Sequence, residues 1–341
     1  MRKYLAILLV LVTLAGCALP GSSNSPTGQG TPTTPATAAL PSYTATPGTP
    51  LTILVIPPDM PKKESDLYQS TVNDLAKGAG MRFQVRNSLT ADDLALEPAL
   101  KIVVAFPPDP GLADLASKAT QVQFVGVTIP GLSPASNLSL VGGKGVPLDK
   151  QAFMAGYIAA ILSTDFRVGI ITQKDTPEGT LAYNAFLNGM HFYCGLCNPQ
   201  FPPWYKYPVH SEIPTDVPEA QFRFYAEPLK NYMVDFAYVY PGVGTRDLFD
   251  YMSQVGLNII SQVRPADNLS AHWVVSIQPE VVPAIQALWP DLLAGKGGQD
   301  ISLPLFLVEV NPDLLSPGKQ ADVQEILDRV QKGEIDTAVN P

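Results

Sequence analysis

A helix, strand, helix pattern over residues 147–189 constrains the fold more than any other stretch of the chain. Apolar residues recur at spacings of three and four over residues 153–161, which predicts a helix with one apolar face and Asp149 at its N-terminal cap. Residues 167–172 are apolar and β-branched, which is typical of a parallel strand covered on both faces. Pro177 suits the first turn of a second helix.

Small residues on the first helix would let it lie close to a sheet. They are Ala155, Gly156, Ala159 and Ala160. The second helix is expected to direct four side chains inward: Leu181, Phe186, Leu187 and Met190. This succession of elements indicates an open α/β sheet, which binds ligands beyond the carboxyl ends of its strands. Residues 173–178 and the equivalent loops are therefore the first candidates for function.

Strands that alternate with helices predict a parallel sheet in the N-terminal part of the folded chain. Strands are expected at residues 52–56, 81–85, 101–106 and 123–127, and helices at 64–79, 92–100 and 111–118. No glycine-rich dinucleotide motif or P-loop follows these strands, so neither type of phosphate site is supported.

Two lobes are predicted from this organisation. The first lobe covers residues 51–130, with returning segments after about residue 262, and the second covers residues 131–261. Residues 262–341 are expected to supply crossing strands and a C-terminal helix. A further strand at residues 138–141 is assigned to the crossing between the lobes.

The N-terminal residues have the pattern of an export signal. Residues 1–16 combine Arg2 and Lys3 with a short apolar run, which indicates a signal peptide. The sequence Leu-Ala-Gly-Cys that ends at Cys17 resembles the bacterial lipobox, and this resemblance implies a lipid on Cys17; the alternative is an ordinary signal peptide with a chance cysteine. Residues 17–50 are rich in Ser, Thr and Pro, which predicts a disordered tether. We therefore expect a cell-membrane protein, lipid-anchored on the extracytoplasmic face.

The charge balance is acidic. The chain carries 22 basic and 31 acidic residues, and loss of Arg2 and Lys3 with the signal peptide changes the formal net charge from −9 to −11. This argues against nucleic acid or an anionic lipid surface as the main partner of the folded part.

The second-lobe sequence resembles the family of basic membrane lipoproteins, which are substrate-binding proteins for nucleosides. QAFMAGYIAAIL and RVGIITQ stand where that family has a helix reading roughly EGAFLAGYLAAL and a strand reading KVGFVGG. Residues 236–247, 258–277 and 323–335 resemble later stretches of the same family. The resemblance implies an α/β, two-lobed type I periplasmic-binding-protein fold, each lobe a parallel sheet flanked by helices, with a small-molecule ligand in the cleft and an ABC-type permease as partner.

The ligand-binding positions depart from the family pattern. Residues 64–69 read ESDLYQ, so the aromatic residue is displaced to Tyr68 and the family's Asn is absent. Where the family has an acidic residue, this chain has Arg264 with Asp267 nearby, and Gln278 stands in place of a Lys. Either the ligand differs from a nucleoside or the cleft no longer binds one.

Candidate ligand-binding residues are those that supply aromatic faces, polar groups or close backbone approach. They are Asp59, Tyr68, Phe106, Gly242, Gly244, Arg246, Arg264, Asp267 and Gln278. The glycines could equally form an ordinary strand-to-helix turn, and Tyr68 could pack against its own helix. The arginines could clamp an anionic group or be solvated or ion-paired.

Residues 193–232 form an insertion rich in proline and aromatic residues. One metal-like constellation lies in and just before it: His191, Cys194, Cys197 and His210. Its spacing could hold zinc or form a redox motif. In an exported protein a structural disulfide between Cys194 and Cys197, or a pair of free thiols, is favoured, with no metal and no cofactor.

No catalytic set is evident, so an enzyme is not expected. The sequence predicts a lipid-anchored, extracytoplasmic solute-binding protein, with a nucleoside-like ligand by family resemblance. Two alternatives remain open. One is a surface lipoprotein whose degenerate cleft serves as a sensor or protein-contact module, and the other is a metal-binding protein that uses the His191 cluster.

Overall fold

The structure is a computed structural model that describes residues 48–338. The predicted signal peptide, the predicted lipidation site Cys17 and nearly all of the predicted tether lie outside the described residues. Two six-stranded sheets organise the described part of the chain.

The first lobe is built around the first of these sheets, in which every paired strand is parallel. Its strands are β1 (Leu51–Val55), β2 (Arg82–Arg86), β3 (Leu100–Ala105), β4 (Gln123–Val127), β5 (Leu138–Val141) and β11 (Asp300–Ile301). Its helices are α1 (Lys62–Gly78), α2 (Ala91–Leu96), α3 (Leu112–Lys118) and α8 (Val281–Leu293). The strands lie in the order β11-β5-β4-β3-β1-β2, and apolar residues pack against both faces of the sheet.

The second lobe is built around the other sheet. Its strands are β6 (Val168–Gln173), β7 (Val209–Ile213), β8 (Phe236–Val239), β9 (Asn258–Ser261), β10 (Trp273–Pro279) and β12 (Leu305–Val308). They lie in the order β12-β10-β9-β8-β6-β7, and all pairs are parallel except β10 with β12, which is antiparallel. Its helices are α4 (Leu148–Leu162), α5 (Pro177–Cys194), α6 (Glu227–Asn231), α7 (Arg246–Gln254) and α9 (Pro317–Gln331). Short 3-10 helices span Glu219–Ala226, Pro241–Val243 and Asp267–Leu269.

The chain passes between the two sheets three times: after β5, after β10 and between β11 and β12. Two lobes of this kind form a type I periplasmic-binding-like fold, which is the fold that the resemblance to basic membrane lipoproteins implies. The boundary predicted at residue 131 is wrong, because β5 pairs with β4 in the first sheet and the first lobe therefore extends to Val141. Strand β5 has the predicted bounds. The sheet to which it belongs is decided by its pairing with β4, which the residues of β5 alone do not specify.

Helices α4 and α5 approach each other closely through two glycines. A Cβ added to Gly156 would collide with the carbonyl oxygen of Phe186, and one added to Gly189 would collide with that of Phe153. Gly156 therefore allows a close contact between two helix backbones, whereas the sequence predicts a close approach of this helix to the sheet. On the same pair of helices, Leu181 is exposed rather than inward-facing.

Two polar side chains tie α4 to the rest of the second lobe. Asp149 makes no N-terminal cap; it accepts a hydrogen bond from the hydroxyl of Thr337. Gln151 is fully buried, and its amide donates to the carbonyl of Ile277 at 2.6 Å and accepts from the hydroxyl of Tyr238 at 3.2 Å. This network joins α4 to β10 next to the second crossing. None of the helices in residues 48–338 has the length and apolar character needed to cross a bilayer.

Candidate functional site

A cavity of about 540 Å³ lies where β1, β3 and β4 of the first sheet end. Its walls come from the loop after β1, the first two turns of α1, the residues after β3 and β4, and the start of α8. Carboxyl edges of this kind are where the sequence predicts a ligand site. Three of its candidate residues, Asp59, Tyr68 and Phe106, line this cavity, whereas the other six do not.

Two stacked aromatic rings form one wall of the cavity. The rings of Tyr68 and Phe106 have centroids 4.4 Å apart and an interplanar angle of 23°. Phe106 is buried at the end of β3, and Tyr68 is half-buried on α1. Tyr68 thus packs on the end of a neighbouring strand rather than only on its own helix.

Three carboxylates lie near this wall. Asp59 and Glu64 line the cavity and are exposed, and Glu280, the residue before α8, is close enough to Tyr68 for its charge to act on the hydroxyl. Burial raises the pKa of the Tyr68 hydroxyl, and the charges of Glu64 and Glu280 raise it further. Within residues 48–338, no ion pair or side-chain hydrogen bond involves these three carboxylates, and the cavity wall contains no Lys, Arg or His.

The cavity also includes residues that sequence reasoning missed. Thr128 follows β4 and has a positive φ of 51°, a conformation that β-branched residues rarely adopt. Its backbone N–H donates to the carbonyl of Val141 at 2.8 Å, which holds it at the cavity wall. Met60 and Glu64 also escaped prediction. No motif marks these three residues, although the position of Glu64 at the start of a helix after a strand could have suggested it.

The two candidate glycines lie beyond β8 in the second lobe, where they make room for aromatic side chains. A Cβ on Gly242 would collide with the ring of Tyr240, and one on Gly244 would lie 2.9 Å from Cζ of Phe249. The sequence is compatible with glycines that admit a ligand and with glycines that form a turn, and the contacts in the structure account for them by packing. Burial raises the pKa of Tyr240, and the charge of Glu178 raises it further.

The two candidate arginines are engaged by side chains of the second lobe. Arg246 Nε donates to Asp250 at 2.9 Å, and another guanidinium nitrogen donates to Asn268 at 3.1 Å. Arg264 lies 3.6 Å from both Glu309 and Asp267.

The remaining two candidates in the second lobe, Asp267 and Gln278, also lie away from the cavity. Asp267 is fully exposed in its pair with Arg264, and Gln278 lies opposite Phe306 in the ladder of β10 and β12. Glu309 also accepts a hydrogen bond from Ser276 at 2.5 Å. Both Arg246 and Arg264 already have side-chain partners, so binding an anion would require breaking these contacts.

The insertion after α5 does not assemble the metal-like constellation. Cys194 and Cys197 form a disulfide with Cα atoms 5.2 Å apart. His210 lies on β7, where its Nε2 is 2.7 Å from the hydroxyl of Thr172 and its ring stacks on Tyr183. Across residues 48–338, no three His, Cys, Asp or Glu side chains form a group that could hold a metal ion.

Comparisons with known proteins bear on the fold. No protein-family model and no curated protein matches the sequence. The crystal structure of a transcriptional activator of the comK gene from Bacillus halodurans has a TM-score of 0.53 and 12% identity, covering 84% of this chain and 99% of that chain.

Two further solved structures have lower scores. ABC transporter system solute-binding proteins from Aeropyrum pernix K1 have a TM-score of 0.48 and 14% identity over 86% of this chain and 94% of that chain. A regulatory protein of the LacI family from Chloroflexus aggregans has a TM-score of 0.45 and 14% identity over 75% and 96% of the two chains. At these identities, the similarity to the Bacillus halodurans protein shows a shared two-lobed fold.

Proposed function

We propose that the chain is a lipid-anchored, extracytoplasmic solute-binding protein that takes a small molecule into the space between its lobes. The observation that carries the proposal is the cavity at the carboxyl edge of the first sheet, with the Tyr68 and Phe106 stack as one wall. Its volume lies within the range of ordinary ligand sites, roughly 300–1,000 Å³, and it combines apolar walls with a few polar groups, as such sites do.

The three chain crossings supply a means of closure. They are short, and each joins the end of an element in one lobe to the start of an element in the other. Rotation about such connections is the usual way in which two-lobed proteins enclose a ligand. A ligand held on the first lobe would then be covered by the carboxyl edge of the second, where Tyr240 lies.

Lipid attachment at Cys17 and an ABC-type permease as partner rest on the sequence alone. The lipobox-like sequence and the tether support the anchor, and the likeness to basic membrane lipoproteins supports the permease. That likeness also suggests a nucleoside, but the cavity wall has no Asn and no Lys, which the family pattern would require.

Thermal unfolding of the purified full-length protein tests the proposal. The panel contains nucleosides, nucleobases, sugars, amino acids and amines. A true ligand raises the midpoint saturably, equivalent to about 2.7 kcal/mol at a hundredfold excess over its dissociation constant. Tyr68→Ala should abolish that shift, whereas Trp204→Ala, an exposed residue in the insertion, should retain it. If no compound in the panel changes the midpoint, the solute-binding proposal fails in favour of a sensor or contact module.

Fractionation tests the anchor separately. Expression in a bacterium should place the protein in the membrane fraction, and Cys17→Ser should release it into the soluble extracytoplasmic fraction. Release of both proteins in equal amounts would contradict lipidation at Cys17.

A further inference from the structure

We propose that the solute is a cation: an amine or quaternary ammonium attached to a flat or apolar body. This inference rests on the proposed function and names the chemical class of its ligand. It follows from the charges and the aromatic faces that surround the cavity, and from the engagement of the arginines that would otherwise favour an anion.

Carboxylates at the cavity are left free to receive a positive charge. Asp59 and Glu64 line it, Glu280 adjoins it, and no basic residue is part of its wall. The side chains of Asp59 and Glu64 are exposed, so a ligand cation would replace water rather than an existing ion pair, and closure of the lobes that excludes water would strengthen its attraction to them. A ligand with its positive charge between Glu64 and Asp59 would supply the missing partner.

The stacked rings suit the same kind of ligand. Tyr68 is half-buried and lines the cavity over Phe106, so part of its ring remains available for contact. The face of an aromatic ring attracts a cation and also packs against a flat apolar body. Carboxylate and ring lie on one helix, since Glu64 and Tyr68 are four residues apart on α1 and therefore share a face.

The second lobe repeats this combination at its own carboxyl edge. Tyr240 follows β8 and is close enough to Glu178 of α5 for the carboxylate to raise the pKa of the tyrosine. Closure of the lobes would thus add a second ring and a further negative charge. Arg246 and Arg264, the candidates for binding an anion, are held by Asp250 and by Glu309.

Two matched series of compounds test the inference with the full-length protein. The first is phenethylamine, phenethyl alcohol and phenylacetate; the second is tryptamine, tryptophol and indole-3-acetate. Within each series the ring is kept and only the charge changes. Isothermal titration calorimetry should show saturable binding of the amines, weaker or no binding of the alcohols and none of the carboxylates.

Two single substitutions test whether the amines bind at this cavity. Glu64→Gln should weaken amine binding on the order of tenfold, because it removes a charge-assisted contact. Asp74→Asn is the control, since it removes an equal charge from an exposed position on the same helix. Amine affinity that falls equally in both variants would reflect net charge alone and overturn the inference.

Two other outcomes also overturn the inference, and both leave the proposed function separately testable. One is binding of the alcohols or carboxylates at least as tightly as the amines. The other is the absence of binding from both series. If a nucleoside or sugar raises the unfolding midpoint in the wider panel while the amines do not, solute binding stands and the cationic class is wrong.

Discussion

Tyr68 of α1 stacks on Phe106 at the end of β3, with ring centroids 4.4 Å apart. The two residues are far apart in the chain, so their contact fixes the position of α1 over the edge of the first sheet. The same contact forms a wall of the cavity. Stability, and the ligand binding proposed for this cavity, would therefore depend on one pair of rings.

Removal of the Tyr68 ring should destabilise the protein. We expect Tyr68→Ala to lower the free energy of unfolding by about 2 kcal/mol, since a half-buried ring loses roughly half the packing of a fully buried one. Tyr68→Phe should be close to neutral, because no residue within 48–338 hydrogen-bonds to the hydroxyl. Urea denaturation measures both values. Equal destabilisation by the two substitutions would show that the hydroxyl, rather than the ring, makes the important contact.

The sequence predicts the first-lobe strands well because each is a short apolar run between turn-forming residues. Strand β4 has the predicted bounds, and β5 does too. The sheet to which β5 belongs could not be predicted, since strand pairing is set by distant residues. Helix α8 escaped prediction because Pro283 and Pro290 interrupt its pattern, although a proline in the first turn is compatible with a helix.

The candidate site shows the same division between local and distant information. Aromatic residues near strand ends could be identified from the sequence, and Tyr68 and Phe106 do line the cavity. The pairing of Arg246 with Asp250 could also have been predicted from the sequence, because residues four apart on a helix are neighbours. The pairing of Arg264 with Glu309 could not have been predicted, since Glu309 lies 45 residues away in the chain.

A methyl group at Gly156 should separate α4 from α5. The added Cβ would overlap the carbonyl of Phe186, which belongs to a helix backbone and cannot rotate away. We expect Gly156→Ala to lower the free energy of unfolding by about 3 kcal/mol, as overpacking of a well-filled core does.

Gly78→Ala provides a control for that substitution. Gly78 is the last residue of α1, and an added Cβ there would meet no atom within 4 Å. Because alanine restricts the unfolded chain, Gly78→Ala should raise stability by about 0.5 kcal/mol. A small effect at Gly156, comparable with that at Gly78, would mean that α4 and α5 are not in close backbone contact.

His210 should make stability depend on pH. Burial lowers the pKa of its imidazole, although the nearby charge of Glu212 opposes this. Since the neutral ring is favoured in the folded state, the unfolded chain takes up a proton first as the pH falls. The contribution of His210 is therefore fully present above the unfolded pKa of about 6.5 and is lost as the pH falls through the lower folded value.

Substitution isolates this effect from that of other titrating groups. His210→Gln should reduce the loss of stability between pH 7 and pH 5 relative to the unmodified protein, as measured by urea denaturation at each pH. His191→Gln is the control because His191 is exposed on α5. An unchanged pH slope in His210→Gln would contradict the assignment, and the groups around the ring, Thr172, Tyr183 and Glu212, would then need a different account.

Asp165 should hold the aromatic insertion in place on the second lobe. Its carboxylate accepts hydrogen bonds from the backbone N–H groups of Gln200 at 2.5 Å and Phe201 at 3.3 Å, and from Arg167 Nε at 2.9 Å. Burial works to raise the pKa of Asp165, but the hydrogen bonds from Gln200 and Arg167 outweigh it and lower the pKa. The ionised carboxylate is thus the form that the insertion stabilises.

Loss of this carboxylate should therefore loosen the insertion while the lobes remain folded. Asp165→Ala leaves two backbone N–H groups and Arg167 without their acceptor, so we expect the free energy of unfolding to fall by about 3 kcal/mol. Hydrogen exchange at residues 200 and 201 should accelerate more than exchange in the strands of the second sheet. Asp216→Ala, in the exposed loop after β7, should alter neither quantity. Loss of a local contact should expose only the backbone amides that this contact protects. Hydrogen exchange that accelerates uniformly across the second lobe would therefore indicate that Asp165 supports the whole sheet.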